Sequence, residues 1–188
     1  VASFNRATLT QVHLLLATFM FPVALMFLVT GGLYTWDIKG DYASQAHTVA
    51  LDSPLVADAG QLKALAEREL QRLGVAVPSG GFGVKKAGTS FQLEWTGVER
   101  DVVLEPTTDA LNARLVIKDT GWHRHFVQLH KAKGASPFKI YAAFLAVALF
   151  VILLSGFLLA WQVPKYRRLA AGCALAGFAT FVVLAAVS

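Results

Sequence analysis

LLLATFMFPVALMFLVTGGL, residues 14–33, runs for about 20 positions without a charged side chain. At about 1.5 Å of rise per residue, such a helix spans the roughly 30 Å of a bilayer's hydrocarbon core. Two further runs share the property, Ile140–Trp161 and Leu169–Val187. The composition agrees: 55% of residues are hydrophobic, 15% are charged and the mean hydropathy is +0.53, outside the range of an ordinary soluble domain. The expectation is a membrane protein with three spanning helices, its first partner being the lipid bilayer.

The flanks of each run support this reading. The first helix is expected over Thr8–Trp36, with Pro22 favouring a kink. Tyr34 and Trp36 mark one interface; Tyr141 and Trp161 bracket the second helix. Pro164, Lys165, Tyr166, Arg167 and Arg168 make a short basic turn into the third, whose Gly172, Ala176, Gly177 and Ala179 suit close helix packing. The first run is too long for a cleaved leader and reads as an uncleaved anchor. The lone Cys173 lies inside the third run and reads as a packing residue.

Between the first two helices lies a polar insert of about 100 residues, Asp37–Phe138. In it Leu62, Leu65, Leu70 and Leu73 recur at helical spacing, behind Asp58 as N-cap and before Gly74 as the closing glycine. FGVKKAG, FQLEWTG, RDVVLEP and ARLVIKD then have strand character, with Phe91, Leu93 and Trp95, and later Leu115 and Ile117, alternating with polar residues. This predicts a small α+β domain, one helix on an antiparallel meander of about four strands. WHRHFVQLHKAKG, residues 122–134, follows as an amphipathic segment suited to the membrane surface. The expected divisions are 1–37 for the first helix, 38–120 for the domain, 121–137 for the interfacial segment and 138–188 for the last two helices. Counts of Lys and Arg near the helix ends are balanced. The short turn Lys165–Arg168 is the better witness because long loops cross regardless of charge. It puts the N-terminus in the cytoplasm and the domain outside.

The first two helices close on nearly the same phrase, VTGGLYTW at 29–36 and LSGFLLAW at 154–161. In antiparallel helices these phrases fall at opposite faces. His13 opens the first helix at the depth of Ser155 and Gly156, and His130 precedes the second at the depth of Thr30, Gly31 and Gly32. Each face thus pairs a histidine with a hydroxyl–glycine notch, where a flat ring can approach a bare backbone. Imidazole is a common ligand of haem iron. Roughly 30 Å of bilayer keeps His13 and His130 from sharing one haem. The outer side also holds His123, which shares a helical face with His130, and His125; His47 sits in a polar stretch as a solvent residue.

Other chemistries lack support. The net charge of +5 carries no basic-plus-aromatic signature, so nucleic acid is not an expected partner. No strand–turn–helix puts a nucleophile beside a base. GGFG at 80–83 lacks the Lys and Ser/Thr of a phosphate loop. His123, His125 and His130 come without a carboxylate to complete a zinc site.

QVHLLLATF with VTGGLYTW, and FVQLHKAKG with LLSGFLLAW, make a frame that resembles the PepSY-associated transmembrane proteins of bacteria. The insert at about 55–120 looks like the PepSY domain itself. The resemblance implies an inner-membrane protein of the bacterial cell with its domain in the periplasm. Larger members are ferric or ferrisiderophore reductases, so it also implies haem b on His13 and His130. Those members have at least one more spanning helix, so a homo-oligomer or other membrane subunits would complete the electron path here. The other implied role is an accessory or assembly subunit that binds a partner through the PepSY-like domain. Gly31, Gly156 and His123 join the two ligand histidines as candidate cofactor contacts.

Overall fold

The computed structural model describes residues 5–188. Three helices are long and apolar enough to cross a membrane: α1 (Arg6–Thr35), α4 (Ser136–Trp161) and α5 (Pro164–Val187). Helix α1 continues through Pro22. Pro164 opens α5 in its first turn, where a missing N–H costs nothing. The chain divides into two compact units, residues 1–24 with 143–188, and residues 25–142.

The second unit contains a five-stranded antiparallel sheet in the order β1-β5-β4-β3-β2. The strands are β1 (Tyr42–Ala50), β2 (Phe82–Ala87), β3 (Ser90–Trp95), β4 (Arg100–Pro106) and β5 (Asn112–Thr120). Two further helices belong to it, α2 (Ala59–Arg72) and α3 (Trp122–His130). The alternation read in the sequence becomes a ladder of buried cross-strand pairs: Leu93 faces Leu104, Trp95 faces Val102, and Val102 faces Ile117. These side chains share one face of the sheet, and Leu62, Ala66 and Leu70 of α2 join them in a single core. Pairing buried residues directly across strands is what fixes the register, since a one-residue slip would turn the whole set to solvent.

Both ends of α2 follow from their residues. Asp58 Oδ1 accepts from the Gln61 N–H at 2.8 Å, satisfying one of the helix's orphan donors. At the other end Gly74 adopts φ +68°, and the Gly74 and Val75 amides bond back to Gln71 and Leu70. That pair of reversed bonds is the Schellman arrangement.

The sheet has one strand more than the meander of four expected from the sequence. The addition, β1, pairs along its whole length with β5, from Tyr42 against Thr120 to Ala50 against Asn112. Its residues YASQAHTVA bury only Val49, so no alternation of apolar and polar residues betrays it. The strand exists because β5 offers an unpaired edge, which is a tertiary cause.

Candidate functional site

Each unit contains one meeting of an imidazole with a hydroxyl and a glycine. In the first, His13 Nδ1 lies 2.9 Å from Ser155 Oγ. A Cβ built on Gly156 would stand 3.5 Å from His13 Cε1, ordinary van der Waals contact. In the second, His130 Nδ1 lies 2.8 Å from Thr30 Oγ1, and a Cβ on Gly31 would come within 3.1 Å of His130 Cε1. The His130 ring also stacks on Phe27, with centroids 4.6 Å apart. Ser155 and Thr30 are both buried.

The hydroxyls favour one tautomer. Ser155 Oγ donates its only proton to the Ile152 carbonyl at 3.0 Å, and Thr30 Oγ1 donates its own to Met26 O at 2.6 Å. With that proton committed to the helix, each oxygen faces its histidine as an acceptor, and the imidazole donates from Nδ1–H. In the neutral ring the lone pair then belongs to Nε2. An Nδ1–H held by an oxygen, with Nε2 free, is the arrangement that orients a metal-ligating histidine.

His130 sits beside a cavity of about 240 Å³, lined by Thr30, Gly31, Tyr34, Val127, His130 and Lys131. Pockets for small organic ligands usually enclose roughly 300–1,000 Å³. The space falls a little below that range.

The other sequence candidates lie elsewhere on the fold. His123 lies in the first turn of the same helix as His130 but is not among the residues lining that cavity; its Nε2 is buried without a hydrogen-bond partner among the described residues. His125 packs edge-on against Phe126. His47 is half-buried on β1, opposite Leu115. On α3 Trp122 and Phe126 remain exposed while Val127 and Gln128 are buried, so the helix rests on the domain through one face and keeps aromatic rings on another. Among the described residues, no group of three or more His, Cys, Asp or Glu side chains converges as a metal site would require.

A second constellation escaped the sequence reading. Asp101, at the start of β4 and only 8% exposed, receives four donors. Its Oδ2 accepts from Tyr42 Oη at 2.6 Å, Gln128 Nε2 at 2.9 Å and Lys133 Nζ at 3.5 Å; its Oδ1 accepts from the Gly97 N–H at 3.1 Å. Tyr42 Oη in turn accepts from Arg124 Nη2 at 2.9 Å and Gln128 Nε2 at 3.1 Å. Burial, and then the bond to Asp101, push the Tyr42 phenol up to about 12, so it remains a donor. Burial lowers the Lys133 ammonium, with Asp101 opposing. No local motif announces this node, since Asp101 lies 59 positions from Tyr42 and 27 from Gln128.

Three membrane-length helices with a sheet-and-helix domain inserted between the first two define a membrane-anchored α+β protein. The family model for the PepSY-associated TM region matches residues 10–185, and the chain belongs to that family. Neither the curated proteins nor the solved structures compared with the chain give a match.

Proposed function

We propose that the chain takes part in haem-linked electron transfer across the bacterial inner membrane, with His13 and His130 as the residues that would hold haem. The observation that carries this is the contact of each Nδ1 with a hydroxyl already bonded to its own helix, which favours Nδ1–H and so leaves the lone pair of His13 and His130 on Nε2. The donor chemistry fits haem b, and each glycine lets its imidazole lie close against the neighbouring helix backbone. Each unit brings one such histidine to its notch, so a second protomer or another membrane subunit would supply any further ligand. Haem, when bound, supplies a one-electron couple of iron. The chain's own residues, Ser155 and Thr30, orient the two imidazoles. About 25 Å of helical rise between residues 13 and 30 supports a reading in which the two histidines serve opposite membrane faces. The extracytoplasmic acceptor in this reading is ferric iron or a ferrisiderophore, as in larger members of the family.

The test is an absorbance spectrum of the full chain, purified from haem-replete membranes and reduced. A Soret band with split α and β bands, diminished in His13→Ala and again in His130→Ala, is the expected result. Protein that is colourless both alone and with any chains that co-purify would overturn the reading.

One observation favours a second reading, that of an anchored accessory subunit. Helix α5 has no buried residue in any of its 24 positions, so its whole circumference is available to lipid or to a neighbouring helix. That reading predicts stoichiometric partner chains on purification, and no loss of assembly in His13→Ala or His130→Ala.

A further inference from the structure

We infer that Asp101 is a positioning residue for His130. Through the buried amide of Gln128 it locks α3 onto the sheet, and so sets where the imidazole two residues further on meets Thr30 and Gly31. The inference deepens the reading of His130 as a ligand and rests on it for its functional meaning.

Two faces of α3 have separate partners. Arg124 and Gln128 are four apart and share one face, which is spent on Tyr42 and Asp101. His130 is two residues beyond Gln128, about 200° around the helix. Its ring therefore emerges from the opposite side, towards Thr30. A turn of α3 about its axis moves both contacts together, so whatever fixes Gln128 fixes the ring.

The two ends of the segment are already pinned by backbone. Gly40, at φ +71°, lies so close to α3 that a Cβ there would stand 2.6 Å from Arg124 N. A Cβ on Gly80 would stand 2.2 Å from the Lys133 carbonyl oxygen. These contacts set how closely the segment approaches the rest of the domain, and hydrogen bonds add direction to them. The directional restraints are hydrogen bonds: Arg124 Nη2 and the fully buried Gln128 Nε2 donate to Tyr42 Oη at 2.9 and 3.1 Å. Gln128 Nε2 also donates to Asp101 at 2.9 Å, and Asp101 holds Tyr42 in turn at 2.6 Å.

Only a carboxylate satisfies this node. Three donors converge on Oδ2 and a fourth, the Gly97 N–H, on Oδ1. An asparagine has one acceptor oxygen, so its NH₂ must face either Gly97 or the other three. Donor then meets donor in a buried place.

The experiment uses the full chain in lipid nanodiscs without haem, labelled with ¹⁵N at histidine, at a pH where the rings are neutral. Wild type should show His13 and His130 both in the Nδ1–H form, preferred by about tenfold as a buried hydrogen bond allows. Asp101→Asn should abolish that preference at His130 and leave His13 unchanged, reproducing the His130 signature of Thr30→Val. A His130 spectrum unaltered in Asp101→Asn would overturn the inference. So would equal changes at His13 and His130, which would mark Asp101 as a general stability residue. If Asp101→Asn fails to fold, Gln128→Met decides in the same terms, because it cuts the tie and leaves Asp101 with Tyr42, Lys133 and Gly97. Absence of haem from wild type would remove the ligand reading and leave this measurement intact.

Discussion

Two glycines do different work beside the two imidazoles. Against Gly31 an added methyl would be 3.1 Å from His130 Cε1, close enough that the ring has to give way by a few tenths of an ångström. Against Gly156 the distance is 3.5 Å and nothing need move. Gly31→Ala is therefore expected to shift the ¹⁵N resonances of His130, whereas Gly156→Ala should leave those of His13 in place. Tyr42 gives a pH signature. Its phenol is raised to about 12 when folded and stands at 10.0 as a model value, so neutral Tyr42 stabilises the fold below pH 10. That stability is lost as pH rises from 10 to about 12. Lys133, lowered by burial, works in the opposite direction and is present in both proteins compared. Tyr42→Phe should flatten the alkaline loss over pH 10–12, as followed by circular dichroism. The meeting of each imidazole with its hydroxyl was legible in the sequence, because helical rise alone sets which residues share a depth. The Asp101 node was not, because its partners come from β1, α3 and the segment after it, and only folding brings them together.

At the scale of elements, legibility follows locality. Helix α2 could be bounded from the sequence because both its caps are short-range events, Asp58 to Gln61 and Gly74 back to Gln71. Asp58→Ala should cost about 1 kcal/mol, read as a lowered midpoint in chemical unfolding of the full chain. The strands of the core were equally visible, since alternation is local. Strand β1 and the seating of α3 depend on partners far along the chain. Gly80 belongs to that second kind. A methyl there would collide with the carbonyl oxygens of Lys133 and Thr96 at 2.2 and 2.4 Å. Backbone cannot swing aside as a side chain can, so Gly80→Ala should destabilise by about 3 kcal/mol. The same unfolding measurement on the full chain checks it, with Gly83→Ala, which meets nothing within 4 Å, as the control.

For the molecule as a whole, orientation is the testable quantity. The basic turn Lys165–Arg168 on the cytoplasmic side would put the domain outside. Cysteines introduced at Gln71 and at Lys165, in a Cys173→Ala background, should separate cleanly with a membrane-impermeant maleimide on intact spheroplasts. Gln71→Cys should label at once, and Lys165→Cys only after lysis. The reverse pattern would invert the topology.

The order of the sheet carries a consequence for modularity. The first strand of the domain lies beside the last, with Tyr42 opposite Thr120, so the polypeptide leaves the domain where it came in. An insertion whose ends meet is easily gained or exchanged by recombination. The seam, however, does not fall at Thr120. Because α3 is tied to Tyr42 and Asp101, and Lys133 and Gly134 abut Gly80 and Val98, a transplantable cassette must run from about Gly40 to Gly134. A graft cut at the end of the sheet would leave behind the very helix that carries His130.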